Sequence, residues 1–168
     1  MTIRDIRLFG DPVLTTKAEK VTEFDHSLSV LIDDMLETMD AAQGVGLAAN
    51  QVGVTRRVFV FDCTMDGGSR GHIVNPVWEP LGQDLQDGPE GCLSIPDIQE
   101  DVERFDRVRV TGQDRDGNPI EMEAEGLMAR CIQHETDHLD GILFLRRLRP
   151  EARRRAMAEI RVAPWFNS

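Results

Sequence analysis

One pentapeptide, His134-Glu135-Thr136-Asp137-His138, decides how this 168-residue chain is organised. Each residue of a helix advances by about 100° and 1.5 Å, so His134 and His138 share one face, about 6 Å apart along the axis. Two imidazoles at this spacing can bind one small cation, and Glu135 is rotated so that it borders the open side of the ion. The pattern predicts the metal-binding helix of a hydrolase. A simpler interpretation is a helix with two half-buried histidines and solvated acids.

The elements around the pentapeptide follow from apolar spacing and from turn residues. The helix that carries it runs from about Gly126 to Leu139, and Gly141 can end it. The other expected elements are helices at about 25–42 and 150–161, strands at 57–61 and 73–78, and a hairpin of 108–110 with 120–124. We therefore expect an α+β fold, with short antiparallel sheets packed around a central metal-binding helix and a C-terminal helix. One domain spanning residues 1–168 is the simplest account.

Composition excludes several classes of protein. The net charge of −11 would repel phosphate backbones, which argues against a DNA-binding role. The N-terminus carries charges where a signal peptide needs an apolar run, and no apolar stretch is long enough to cross a membrane. Three cysteines, an odd and sparse set, indicate a reducing compartment. We expect a cytoplasmic protein without membrane partners.

The charge is uneven along the chain. Residues 146–168 contain seven arginines and two glutamates, a local charge of +5 that leaves −16 for the remainder. A solvated helix whose arginines complement an acidic body would explain this segment. A docking element for an anionic partner is the alternative.

Two histidines are too few for a catalytic metal site, which usually has three protein ligands and an open fourth position. Cys131 lies three residues before His134 on the same helix face. Cys92 lies on a separate segment, Glu90-Gly91-Cys92-Leu93-Ser94, where it could complete a tetrahedral corner. We favour Cys92 and expect Cys131 to be buried in the core.

A third segment, Gly44-Val45-Gly46-Leu47-Ala48-Ala49-Asn50-Gln51, combines small residues with a polar end. The small residues allow another backbone to come close, and the Gln51 amide can donate a hydrogen bond to an oxyanion. Taken alone, the segment is an ordinary Gly-Ala turn.

Together the three segments resemble the signature of the peptide deformylases, metal hydrolases that remove the formyl group from N-terminal methionine of new bacterial polypeptides. The matching stretches are 44–51, 90–94 and 133–141, and similarity extends from 10–14 to the closing helix. The resemblance implies that Cys92, His134 and His138 bind the metal and that Glu135 transfers protons. It assigns the oxyanion donors to the Gln51 side chain and the Leu93 backbone N–H.

The resemblance also carries expectations about substrate, metal and partners. The peptide would extend along Gly44-Val45-Gly46, and an apolar methionine pocket would be lined by Leu127, Cys131 and His134. Arg130, at a position that is aliphatic in some relatives, would affect substrate preference if its stem lines the entrance. The metal would be one divalent ion, Fe²⁺ in vivo, with Zn²⁺, Ni²⁺ or Co²⁺ able to replace it. Nascent polypeptides beginning with formyl-methionine would be the partners, with ribosome docking through the basic C-terminal helix.

Two other functions share some of these features. A zinc endopeptidase could carry the pentapeptide, but such enzymes usually bind the metal through histidine and carboxylate, not through a residue such as Cys92. A non-catalytic metal-binding relative would be expected to have lost Glu135 or Gln51, and both are present.

Overall fold

The metal-binding helix predicted from the pentapeptide lies at the centre of the fold. A computed structural model describes residues 1–168 and places this helix, α2, at Gly126–Leu139, the bounds expected from the sequence. Eleven of its residues are buried, because the helix is covered on nearly every side. Two further helices are α1, His26–Ala41, and α3, Pro150–Val162. None of the helices is long and apolar enough to cross a lipid bilayer.

Five antiparallel strands form the larger sheet, in the order β1-β2-β3-β6-β7. Their bounds are β1 Gly46–Ala48, β2 Val58–Asp62, β3 Arg70–Pro80, β6 Arg107–Gln113 and β7 Pro119–Glu125. The register of β3 against β6 shifts between Val74 and Val77, as expected for a strand interrupted by Pro76. The order places the short strand β1 at one edge of the sheet.

Helices cover both faces of this sheet. Alternate residues of β2 point to opposite sides: Phe59 and Phe61 pack in the cluster with α2, and Val58 and Val60 pack in the cluster with α1. Because a strand buried on both faces needs apolar residues at consecutive positions, its sequence is a continuous apolar run. This run is why β2 was predictable from the sequence. Asp25 begins α1 by accepting a hydrogen bond from the N–H of Leu28.

A second sheet consists of two long strands, β4 at Leu85–Cys92 and β5 at Ile95–Phe105. The strands expected from the sequence include none between residues 79 and 107, so this hairpin was not predicted. The hairpin packs with α3 and with the short 3₁₀ helix Phe144–Arg147 in a third apolar cluster. Its closed end carries Cys92 towards α2.

Candidate active site

The three side chains predicted to bind a metal converge on one point. His134 and His138 come from adjacent turns of α2, and Cys92 comes from the end of β4. His134 Nε2 lies 3.2 Å from His138 Nε2, and Cys92 Sγ lies 3.4 Å from the same His138 nitrogen. All three donor atoms lie within 4.8 Å of one another. The structure thus brings Cys92 to the two histidines and leaves Cys131 outside this group.

The donor set fits a divalent cation. In a tetrahedral site, two nitrogens that each bind the metal at about 2.0–2.1 Å lie roughly 3.3 Å apart. The Nε2 atoms of His134 and His138 are 3.2 Å apart, which is close to that value. Burial and the neighbouring His134 lower the pKa of His138 well below its usual value, which favours the neutral ring that binds metals. One thiolate and two imidazoles leave a fourth position for water or substrate, as catalytic sites require.

A buried carboxylate supports His134 from behind. Glu90 Oε1 bonds to His134 Nδ1, so the Nε2 of the ring faces the cation position. Arg104 and Arg130 also donate to Glu90, at 2.6 and 2.7 Å, and Arg104 continues to Asp137 at 2.8 Å. Burial opposes ionisation of Glu90, but the bonds from His134 and Arg104 outweigh it and hold its pKa well below the usual range. Glu90 is therefore ionised and keeps the ring oriented.

Glu135 lies beside the same point, with Oε2 at 4.0 Å from His134 Nε2. Its side chain is buried, and its Oε1 has no hydrogen-bond partner. Burial raises the pKa of Glu135 to about 7. A carboxyl group with such a pKa can accept and release a proton near neutral pH. Gly46 makes room for it, since a Cβ on Gly46 would lie 2.6 Å from Glu135 Oε2.

The Gln51 amide is held in a fixed orientation at the edge of the site. Its Oε1 accepts from the N–H of Ala48 at 3.0 Å, and its Nε2 donates to Ser94 Oγ at 3.1 Å. The same Nε2 lies 3.6 Å from Cys92 Sγ. Leu93 follows Cys92 in the turn between β4 and β5, so its backbone is close to the same point. The two candidate oxyanion donors are therefore on neighbouring segments.

A cavity of about 710 Å³ opens beside these groups. The segment 44–46 lines one wall, and because β1 is an edge strand, one side of its backbone lacks a neighbouring strand. The tip of the β4-β5 hairpin lines the opposite wall, and Leu127, Cys131 and His134 line the cavity from α2. All the pocket residues predicted from the sequence therefore border one cavity.

Arg130 also lines the cavity, but its guanidinium is buried and not at an exposed entrance. The residue is 6% exposed, and Nη1 donates both to Glu90 and to the backbone oxygen of Val102.

Three buried polar residues of the site, Glu90, Arg104 and Ser94, have no role that the sequence pattern could assign. Glu90 and Ser94 flank the candidate ligand Cys92, which is the one signal that could have pointed to them. The bonds of Glu90 join residues 14 to 44 positions apart, and no local periodicity encodes such pairs.

Comparisons with known proteins agree with this geometry. The model of the polypeptide deformylase family matches residues 3–154. Peptide deformylase 1 of Corynebacterium efficiens is 65% identical over 168 residues, with 99% of each chain covered. The solved peptide deformylase of Thermus thermophilus is 44% identical, with a TM-score of 0.87 over 95% of this chain and 94% of that one. That of Synechococcus elongatus, solved in complex with actinonin, is 39% identical, with a TM-score of 0.88 over 97% and 90%.

The fold and the clustered donors define a class, the metal-dependent hydrolases of α+β architecture. Within that class the chain belongs to the polypeptide deformylase family. It is an enzyme that removes the N-formyl group from the N-terminal formyl-methionine of newly made polypeptides and releases formate. The predicted fold class and activity are confirmed, and the similarities do not favour the endopeptidase or the non-catalytic relative.

Proposed function

We propose that deformylation takes place in the 710 Å³ cavity, where Cys92, His134 and His138 hold one divalent ion and Glu135 transfers the proton. One observation carries the proposal. Donor atoms from β4 and α2 meet within 4.8 Å, beside a buried carboxyl group whose Oε1 has no partner. A buried carboxyl oxygen without a partner is costly unless it serves the reaction.

The chemistry follows from the positions of these groups. A divalent ion supplies Lewis acidity, which lowers the pKa of water from about 16 towards about 7. Glu135 accepts a proton from the attacking water and later delivers it to the leaving amine. Gln51 Nε2 and the Leu93 N–H donate to the formyl oxygen as negative charge develops there. Loss of one such donor costs about 3–4 kcal/mol of transition-state stabilisation. The products are formate and a peptide with a free amino group.

The substrate would bind as an additional strand. Backbone groups of Gly44, Val45 and Gly46 would pair with the extended peptide, because β1 lacks a neighbour on that side. Such main-chain bonds do not depend on sequence, so selection falls to the pocket for the first side chain, lined by Leu127, Arg130 and Cys131. We propose that residues 1–168 form one catalytic domain that works on nascent chains in the cytoplasm.

Formate release from a formyl-Met-Ala-Ser peptide tests the proton transfer. Glu135→Gln should lower kcat by about 10²–10⁴, with the metal content of the protein unchanged. Glu121→Gln is the matched control, since its carboxylate lies on β7 and is 66% exposed; it should keep the parental rate. A Glu135→Gln protein that turned over like the parent would overturn the proposal.

The native metal is proposed to be Fe²⁺, with Zn²⁺, Ni²⁺ or Co²⁺ able to replace it. One sulfur and two nitrogens suit all four ions, so the ligands support this group and exclude a preference for Mg²⁺ or Ca²⁺. Elemental analysis of anaerobically purified protein tests the assignment. Zinc at one equivalent, without iron, would contradict it.

Ribosome docking through the basic C-terminal segment is a further part of the proposal. Several of its arginines are already engaged: Arg155 pairs with Glu100, and Arg153 donates to backbone oxygens of residues 145 and 146. Of the four arginines of α3, Arg154 and Arg161 form neither an ion pair nor a hydrogen bond through their side chains. These two are therefore the candidates for contact with ribosomal RNA.

Co-sedimentation with ribosomes at increasing salt tests this docking. Arg154→Glu with Arg161→Glu should abolish a salt-dependent association, whereas a deletion of α3 would also remove buried Ala156 and Ile160 and so disturb the fold. If ribosome binding did not respond to the charge reversal, docking through these arginines would be excluded. The basic segment would then be a solvated helix whose arginines complement an acidic body.

A further inference from the structure

Two thiols that the deformylation reaction does not use meet in the wall between the catalytic cavity and a second cavity. Cys131 lines the catalytic cavity. Cys63, the residue after β2, lines the second cavity, which has a volume of about 440 Å³ and is also bordered by Met122 and Met128. Both cysteines are free thiols of one apolar cluster, outside the metal-binding group. The pair therefore spans the wall from one cavity to the other.

The chain around β1 and β2 brings the two thiols together. The backbone oxygen of Val45 accepts from the Asp62 N–H at 2.9 Å and lies 3.5 Å from Cys131 Sγ, so this sulfur lies next to the chain just before Cys63. The Cys63 and Cys131 thiols are hydrogen-bonded to each other. On its other side, Cys131 Sγ faces the catalytic site, since a Cβ on Gly46 would lie 2.8 Å from it.

This contact makes the two thiols chemically unequal. The hydrogen bond with Cys131 lowers the pKa of Cys63, whereas the bond with Cys63 and burial raise the pKa of Cys131 well above its usual value. An oxidant is attacked by a thiolate and not by a thiol. Cys63 is therefore the nucleophile of the pair, and Cys131 is the neighbouring thiol that can condense with its oxidised form.

We infer that Cys63 and Cys131 form a redox-modification site, at which hydrogen peroxide produces a reversible disulfide. The Cys63 thiolate attacks one peroxide oxygen, an S–O bond forms, the O–O bond breaks, and hydroxide leaves. Cys131 gives its proton to this hydroxide and attacks the Cys63 sulfur, so that an S–S bond forms and the S–O bond breaks. The second hydroxide takes up the proton first released by Cys63. Two thiols and one peroxide thus give one disulfide and two waters, and the two sulfurs supply the two electrons.

The disulfide would alter the pocket for the first side chain of the substrate. This part rests on the proposed function, in which Cys131 lines that pocket. Bonding to Cys63 draws Cys131 Sγ away from the catalytic cavity, which removes a contact about the size of a methylene group. KM for formyl-Met-Ala-Ser should therefore rise about fourfold. The value of kcat should stay within about twofold, because Glu135 and the metal ligands are not modified.

Peptide mapping of the Zn²⁺-loaded enzyme after brief treatment with hydrogen peroxide tests the disulfide. Zinc has no redox chemistry of its own and keeps Cys92 engaged as a ligand. Trypsin separates the three cysteines into the peptides 58–70, 71–104 and 131–146. We expect a disulfide that joins 58–70 to 131–146. Dithiothreitol should reduce it and restore the original KM.

Two variants separate the disulfide from other oxidation. Cys63→Ser in its reduced form should have the parental KM, because Cys63 lies outside the catalytic cavity, and peroxide should leave that KM unchanged; Cys63→Ala gives the same test without a buried hydroxyl. Met128→Leu is the matched control, since it removes the thioether beside the second cavity and keeps both thiols. It should still form the disulfide and show the rise in KM.

The outcomes distinguish this inference from the proposed function. The inference is wrong if peroxide leaves Cys63 and Cys131 unlinked, links either of them to Cys92, or forms the disulfide without a change in KM. It is also wrong if peroxide raises the KM of Cys63→Ser as much as that of the parent. In each case the proposed function stands. If the reduced parent released no formate, the proposed function would be wrong, and the mass of the linked peptides would still decide whether the disulfide forms.

Discussion

Glu90→Gln is the substitution that most directly tests the buried charge network behind the metal site. The Glu90 and Arg104 side chains are each 5% exposed, and the carboxylate bonds to two guanidinium groups and to His134. The amide is nearly the same size but neutral, and its nitrogen cannot accept a hydrogen bond. The change therefore leaves the buried Arg130 without a carboxylate partner and Arg104 with Asp137 alone, while the packing stays similar.

The size of the effect follows from this burial. Removing one partner of a buried ion pair costs about 3–5 kcal/mol. For a domain of this size, 1 kcal/mol corresponds to about 2–4 °C, so the melting temperature should fall by roughly 6–20 °C. The substitution also weakens the hydrogen bond between Glu90 and His134 Nδ1 that orients the imidazole ring. Loss of such a bond to a metal ligand typically lowers metal affinity by about 10–100-fold.

Urea unfolding followed by circular dichroism, with chelator present to remove the metal, measures the stability effect. The control is Glu79→Gln, the same chemical change in the pair with Arg109, where the side chains are 64% and 38% exposed. It should change the free energy of unfolding by about 0–1 kcal/mol. If Glu90→Gln were no more destabilising than Glu79→Gln, the argument from burial would be refuted.

The pH dependence of stability gives a second measurement on the same pair of proteins. The pKa of Glu90 is lowered in the folded state from its ordinary value of 4.5, so its contribution is fully present above that value and is lost as the pH falls through the folded pKa. The excess stability of the parent over Glu90→Gln should therefore narrow as the pH falls below 4.5. If the difference in stability between the two proteins widened on acidification, the pKa of Glu90 would not be lowered in the folded state.

Three further predictions concern single features of the structure. Gly46→Ala places a methyl group 2.6 Å from Glu135 Oε2 and 2.8 Å from Cys131 Sγ, so formate release should fall at least about tenfold; a parental kcat would show that the site can relax. Asp25→Ala removes the bond to the Leu28 N–H at the start of α1 and should cost about 1 kcal/mol in urea unfolding, with activity unchanged. Removal of the metal by a chelator should lower the melting temperature and abolish activity, and adding Zn²⁺ or Fe²⁺ anaerobically should restore both; a melting temperature indifferent to the metal would contradict the donor set.

The centre of the fold was predictable because its signals are local. The bounds of α2 follow from apolar periodicity between Gly126 and Gly141, and β2 follows from an unbroken apolar run. The β4-β5 hairpin was not predictable in the same way. Its first strand contains Gly88, Pro89 and Gly91, residues that usually interrupt strands, and it is held by pairing with β5 and by packing against α3.

The sequence by itself determined the chemistry available to this protein: a thiol, two imidazoles and a carboxyl group in segments characteristic of one family. Which of Cys92 and Cys131 meets the histidines was decided on geometry by the tertiary structure, which brings the end of β4 to α2. Only the tertiary structure shows that Glu90, Arg104 and Arg130 form a buried network and that one nitrogen of Arg130 is left without a partner. The reason is physical: charge pairing and burial depend on distances between segments far apart in the chain, and no local pattern of residues records them.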